Sequence, residues 1–274
     1  MRRVDPLLGL LNCGKMLPLR LSGGIAIELT LADIGDSCVL GTSYELQEMS
    51  IRCATSKLDS ALESTFNQML MSQKALTLRI NTYHTQSQSL PAGNSDLSIS
   101  LVRAFSRLNA LFISFHGSDA ADTPPLNKQS TVSFLNPGSF TVGGNVGGVT
   151  THDENLMAFD VQIGSLKFPE SPATSIPETF SLLLQATSIH DESIRTLNIT
   201  PQSYAAQSFV IGIPLQSVSG AAFSGLSTRS GDLLSVRCKG LATDNTINAP
   251  GRIYVTMISE QIIEIREGSV SVLD

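Results

Sequence analysis

Apolar residues recur at every second position along much of this chain. In GGIAIELTLA, Ile25, Ile27, Leu29 and Leu31 alternate with Ala26, Glu28 and Thr30. LTLRINTY repeats the pattern with Leu76, Leu78 and Ile80, and ALFISFHG with Leu111, Ile113 and Phe115. LMAFDVQIG carries it on Met157, Phe159, Val161 and Ile163, and FVIGIPL on Phe209, Ile211, Ile213 and Leu215. LLSVRCKG has Leu234, Val236 and Cys238, RIYVTMIS has Ile253, Val255 and Met257, and IIEIREG has Ile263 and Ile265. A period of two puts each apolar set on one face of a strand. Gly, Pro, Asn and Ser clusters bound the runs. Clean alternation predicts antiparallel sheets with one wet face, not a parallel sheet buried on both sides.

Two stretches predict helices instead. In SKLDSALESTFNQMLMSQ, Leu58, Leu62, Phe66, Met69 and Leu70 form one apolar stripe, and Ser56 with Asp59 has capping-box spacing. In SIPETFSLLLQAT, Ser175 and Glu178 repeat that spacing with Pro177 in the first turn. Around these helices the chain repeats an order. The first half runs strand 25–31, strand 44–51, helix 57–71, strand 76–83, polar loop 84–96, then strands to 116. The second runs strand 157–168, helix 177–187, strand 195–200, then strands from 209. The expected class is all-β with a few short helices, in two β units divided near the polar, Pro-containing segment 117–129. An α/β fold would need helices between successive strands, and most gaps are too short.

Composition narrows the function. The chain has 274 residues, 42% of them hydrophobic and only 15% charged, enough for one large core or two moderate ones. The net charge is −6, with no basic stripe of the kind that grips nucleic acid. Cys13, Cys38, Cys53 and Cys238 stand far apart, without the paired spacing of a zinc or redox motif, and read as reduced, mostly buried thiols. No stretch of eighteen apolar residues predicts a membrane span. The N-terminal MRRVDPLLGLLNCGK is too short and interrupted in its apolar run for a secretory signal, so the sequon at Asn198 reads as chance.

Candidate chemistry centres on a triplet that occurs twice: His152-Asp153-Glu154 and His190-Asp191-Glu192. Three consecutive residues rarely converge on one ion, because neighbours on a strand point to opposite faces. A site would need His152 and His190 to meet with Asp153 or Asp191; otherwise the triplets are two solvated turns. His84 and His116 close their predicted strands without a Cys or Ser partner. No Gly-x-Ser-x-Gly elbow occurs, and the Gly-rich VGGNVGGV at 142–149 lacks a P-loop Lys. These readings assign no catalytic, cofactor-binding or metal-binding residue and no cofactor.

Several stretches carry a resemblance. LPLRLSGGIAIELTLA, YELQEMSIRCATSKLDSAL and LVRAFSRLNALFISFHG resemble the later part of the first roll of double jelly-roll major capsid proteins. These belong to tailless icosahedral DNA viruses, including polinton-like viruses and large algal viruses. FDVQIGSLKFPESP, FVIGIPLQ, FSGLSTRSGDLLSVRCKGL and IYVTMISEQIIEIREGSVSVLD resemble the second roll. The resemblance implies two adjacent antiparallel jelly rolls: residues 1–118, a first roll incomplete at its N-terminus, and residues 119–274, the second. It implies a non-enzymatic shell protein of the virion, assembled in the host cytoplasm or nucleus. Its partners would be two further copies in a pseudo-hexagonal trimer, neighbouring capsomers and minor capsid proteins, without direct nucleic-acid contact. The shortened first roll also fits an endogenised viral gene. Two alternatives remain from the residues alone. One is a carbohydrate-binding β-sandwich surface protein, which the absence of Trp disfavours; the other is a jelly-roll metalloenzyme using the triplets.

Overall fold

The computed structural model describes residues 9–10, 16–17, 25–30, 45, 47–51, 53–72, 74–91, 94–117, 157–187, 199–200, 203–204, 208–216, 224–229, 233–241, 250–266 and 269–273. Strands dominate them, with two short helices, as the alternation predicts. In chain order the elements are α1 (Ser60–Met71), β1 (Leu76–Ser89), β2 (Leu97–Leu101), β3 (Leu108–Gly117), β4 (Ala158–Ile163), β5 (Leu166–Ala173), α2 (Ile176–Ala186), β6 (Val210–Pro214), β7 (Leu234–Lys239), β8 (Pro250–Arg266) and β9 (Ser269–Leu273).

One sheet has the order β1-β8-β3-β6, with β9 added beside β8; the other has the order β2-β7-β4-β5. The pairs β1·β8, β2·β7, β3·β6 and β4·β5 together form a single antiparallel ribbon, the first four strands against the last four in reverse. Rolling that ribbon brings β8 beside β3 and β7 beside β4. This is the eight-stranded jelly roll, which uses two sheets to bury one core.

That core explains the alternation. Leu111, Ile113 and Phe115 of β3, Ile253, Val255 and Met257 of β8, and Ile211 and Ile213 of β6 point inward from one sheet. Ile99 and Leu101 of β2, Phe159, Val161 and Ile163 of β4, and Leu234, Val236 and Cys238 of β7 meet them from the other. Each aliphatic or aromatic side chain of this size contributes roughly 1.5–3 kcal/mol on burial. Sheet edges are managed by sequence as well. β5 is an edge strand and carries Pro169 and Pro172, which cannot donate to a further ladder.

The chain divides into two compact units: Met1–Asn81 with Gln261–Asp274, and Thr82–Glu260. The first unit has its own small core of Leu78, Ile80, Ile263 and Ile265, against which Leu10, Leu17, Phe66 and Leu76 pack. The division expected between residues 118 and 119 falls between β3 and β4, which lie in opposite sheets of the one roll. Strands on both sides of it pair with each other, as β3 does with β6 and β8.

Several local expectations change. The strand expected over 157–168 is a hairpin: β4 ends at Ile163, Gly164 turns the chain with φ 58°, and Ile163 pairs with Leu166. Only glycine adopts that φ without cost, and a two-residue hairpin turn requires it. The loop expected over 84–96 is largely strand, because β1 continues to Ser89. Thr85 and Thr256 hydrogen-bond across the ladder at 2.9 Å, and the Leu90 amide reaches the Gly251 carbonyl at 2.8 Å. Polar side chains do not stop a strand whose backbone has a partner. The strands expected over 25–31 and 44–51 are absent among the described residues there, which belong to no ladder. Ile25, Ile27, Leu29, Met49 and Ile51 are exposed. Alternation alone does not make a strand, whose backbone needs a partner.

The helices form as their caps dictate, with one shift. Asp59 caps α1: its carboxylate accepts from the Leu62 amide at 2.8 Å, so the helix starts at Ser60, not at 57. At α2, Ser175 accepts from the Glu178 amide, and Glu178 accepts from the Thr174 amide at 3.3 Å. Leu183 lies directly over Gly212 of β6. A Cβ there would meet Leu183 Cα at 2.9 Å and Ala186 Cβ at 3.1 Å. Glycine therefore sets how closely α2 seats on the outer face of the first sheet.

Candidate functional site

The residues singled out for chemistry do not assemble a reactive centre among the described residues. Both His-Asp-Glu triplets, and with them His152, Asp153, His190 and Asp191, lie outside those residues, as do Cys13, Cys38 and the 142–149 Gly-rich segment. Among the described residues, no group of three or more His, Cys, Asp or Glu side chains gathers. No helix there is long and apolar enough to cross a membrane.

His84 does not end its strand but lies within β1. Its Nδ1 is 3.2 Å from Arg103 Nη1. A guanidinium can only donate, so His84 Nδ1 is the acceptor in this contact. Arg103 also stands over the Phe105 ring, 5.5 Å from its centroid. This is a cation on an aromatic face.

Cys238 is fully buried in β7, while Cys53 is exposed. Burial first, and the nearby Asp160 charge second, push the Cys238 thiol up to about 12. A thiol held protonated is neither nucleophile nor metal ligand. Asp160 instead pairs with Arg237 across the β4–β7 ladder, through Nε at 2.9 Å and Nη2 at 2.8 Å. Tyr204 is also buried; its hydroxyl donates to the Val210 carbonyl at 2.8 Å, and desolvation pushes its ionisation upward. Arg107, Asn109, Ser259 and Glu260 lie where the β3–β8 register shifts, and the Glu260 amide donates to the Arg107 carbonyl at 2.9 Å. Ser259 Oγ lies 2.9 Å from Thr82 Oγ1. Asn109, Ser259 and Glu260 are buried at this irregularity of the ladder.

What the roll does present is a surface. On the first sheet, the residues alternating with the core face outward: Tyr83 and Thr85 from β1, Arg252, Tyr254, Thr256 and Ile258 from β8, and Phe112, Ser114 and His116 from β3. α2 covers the β6 side of this face, through Leu183 on Gly212 beside Phe112. The other side holds a connected cluster. His116 and Tyr254 meet edge to face at 4.8 Å between centroids. Arg252 pairs with His116 in register, and its Nη1 donates to Tyr254 Oη at 3.4 Å. Tyr83 is 47% exposed. Reading the strand for its apolar positions passes over these residues, yet the signal is in RIYVTM: the polar alternates of a core strand are the ones a partner can touch.

No protein-family model matches the chain, and no curated protein matches it. Solved structures do. The capsid of the virus PBCV-1, as a quasi-atomic model, matches with TM-score 0.45 and 8% identity over 79% of this chain and 55% of that one. PBCV-1 VP54, fitted into a reconstruction of the virophage Sputnik, matches with TM-score 0.47 and 11% identity over the same 79% and 55%. The Sputnik virophage structure matches with TM-score 0.44 and 12% identity over 73% of this chain and 39% of that one. The chain thus spans about half the length, or less, of the capsid chains it is similar to.

Proposed function

We propose that this chain is a structural protein of a viral shell, a major capsid protein that builds trimeric pseudo-hexagonal capsomers and performs no catalysis. The observation that carries the reading is the strand order β1-β8-β3-β6 over β2-β7-β4-β5, a complete jelly roll. It occurs in a chain whose stretches from LPLRL to SVSVLD resemble double jelly-roll capsid proteins. Residues from 76 to 266 supply the eight strands of that roll. Two rolls per subunit and three subunits per ring give six similar lobes, the shape that tiles a hexagonal lattice. Neighbouring capsomers and minor capsid proteins are the partners of such a tile, and the virion is its location.

The work of such a protein is association. Specific contacts need about 800 Å² of surface from each partner, driven by apolar burial at roughly 25 cal/mol per Å² less the cost of immobilising each subunit. Light scattering on the purified chain tests the proposal. A mass of three 29.2 kDa chains, with six-lobed particles by negative-stain microscopy, is the expected result. A chain that stays monomeric at every concentration would end the reading. So would metal that co-purifies stoichiometrically and is lost in His152→Ala.

A further inference from the structure

The first compact unit holds both a strand edge and a strand-patterned segment that pairs with nothing among the described residues. β9 pairs with β8 through Ile262–Arg266, and the described residues give it no second ladder. Val270 stands opposite Ile265 and Val272 opposite Ile263, so the two valines share a sheet face with those isoleucines. Ile263 and Ile265 are buried in the small core of this unit, whereas Val270 and Val272 are 52% and 56% exposed. The apolar face of the sheet therefore runs on past its cover. Residues 25–30 have the complementary want. Ile25, Ile27 and Leu29 alternate with Ala26, Glu28 and Thr30, yet the segment is in no ladder and the three apolar side chains are exposed. We infer that residues 25–30 of one copy of the chain add as a strand to the edge of β9 in a second copy; taking a second copy as the partner rests on the shell reading.

Three observations select this occupant. The first is the backbone. An edge strand presents a row of N–H and C=O groups, and a strand added there satisfies its own backbone at the same time. An edge that is kept from pairing carries a block, as Pro169 and Pro172 supply on β5. β9 reads SVSVL, with neither proline nor charge.

The second is the side-chain pattern. Both segments have a period of two, and five residues of β9 face six of 25–30. With Ile25, Ile27 and Leu29 on the valine face, the two strands form a run of cross-strand aliphatic pairs. A slip by one residue would set Glu28 among the valines, so the pattern selects which face meets which.

The third is number. Each copy carries one such segment and one such edge, and the described residues 25–30 do not pair with β9 of their own chain. A contact between two different surfaces of identical chains runs head to tail. Three copies joined in this way close into a ring in which every segment and every edge is used. A strand from an unrelated protein would fill the edge and leave residues 25–30 of each copy without a partner.

The test uses the full chain. Ile27→Cys is mixed with Val270→Cys and, separately, with Val272→Cys, each in a Cys53→Ser background that removes the exposed native thiol. After oxidation, mass spectrometry identifies the joined peptides. A disulfide between the two introduced thiols, bridging two chains, is the expected result in at least one mixture. In sedimentation over a concentration series, Ile27→Pro and Val272→Glu should each weaken association about tenfold or more. Val102→Glu, at a position of the other unit that is also exposed, should leave association unchanged, and thermal melts check that each variant folds. If the wild-type chain associates, neither mixture links and both variants associate equally well, the strand contact is overturned while the shell reading stands. A monomeric wild-type chain removes both. A chain carrying Ile27→Cys together with Val272→Cys that links to itself in dilute solution places the pairing within one copy and overturns the contact between copies.

Discussion

Replacing Gly212 with alanine should loosen the seat of α2 on the roll. Gly212 lies in β6, paired with Phe112, and its φ is not in the left-handed region. Alanine is therefore allowed by the backbone, and by stiffening the unfolded chain it would stabilise by about 0.4–1 kcal/mol if space were free. Space is not free. The added Cβ meets Leu183 Cα and Cδ1, both at 2.9 Å, and Ala186 Cβ at 3.1 Å. Cδ1 can rotate away, but Leu183 Cα is helix backbone, so α2 must lift by several tenths of an ångström. Leu183 is only 4% exposed, and Phe180 and Leu182 pack on the same core, so the lift opens contacts along the whole helix. Overpacking of this kind costs about 1–3 kcal/mol. The net expectation is a loss of about 1–2 kcal/mol, or a fall of roughly 2–8 °C in the melting temperature. Gly212→Ala should be measured beside Gly212→Ala/Leu183→Ala, where part of the clash is gone and the glycine change should cost less. An alanine variant as stable as wild type, or more so, would falsify the close seating of α2 on β6.

Other expectations follow from single contacts. Ser175→Ala removes the α2 cap and should cost about 1 kcal/mol in chemical denaturation, while Ser175→Asp should cost little. Asp160→Asn leaves Arg237 with a weaker partner across β4 and β7 and should cost about 1–3 kcal/mol, with Asp160→Asn/Arg237→Met recovering part of it. Cys238 should resist alkylation at pH 8 in the folded chain while Cys53 reacts, read by mass spectrometry. The sign of its pH effect is fixed. The folded thiol keeps its proton up to about 12, whereas the unfolded one loses it near 9.0, so stability falls as pH rises between those values. Cys238→Ala should flatten that alkaline decline in a series of denaturant melts.

Much of this protein is local and therefore legible. The alternations at 111–115, 209–215, 234–238 and 253–257 name inward residues of the roll, and that at 76–83 names residues of the small second core, because side-chain direction along a strand depends only on the strand itself. Both helices begin at residues whose side chains cap their own amides, again within a few positions of sequence. The cluster of His116, Arg252 and Tyr254 is only half legible. Its residues alternate with core positions in β3 and β8, but nothing near them in sequence says that the two strands are neighbours.

The sequence by itself determined an all-β chain, the identity of most core residues, and where two helices interrupt the strands. Tertiary structure alone decided that β1 lies beside β8 and β2 beside β7, so that one roll gathers strands from residue 76 to residue 266. It also decided that the alternating stretch at 25–30 stays outside any sheet while the polar stretch at 84–89 joins one. The reason is physical. A helix makes its backbone hydrogen bonds within itself, but a strand makes them to another strand, often far away in the chain. Alternation tells which face a strand would bury; only the partner determines whether there is a strand at all.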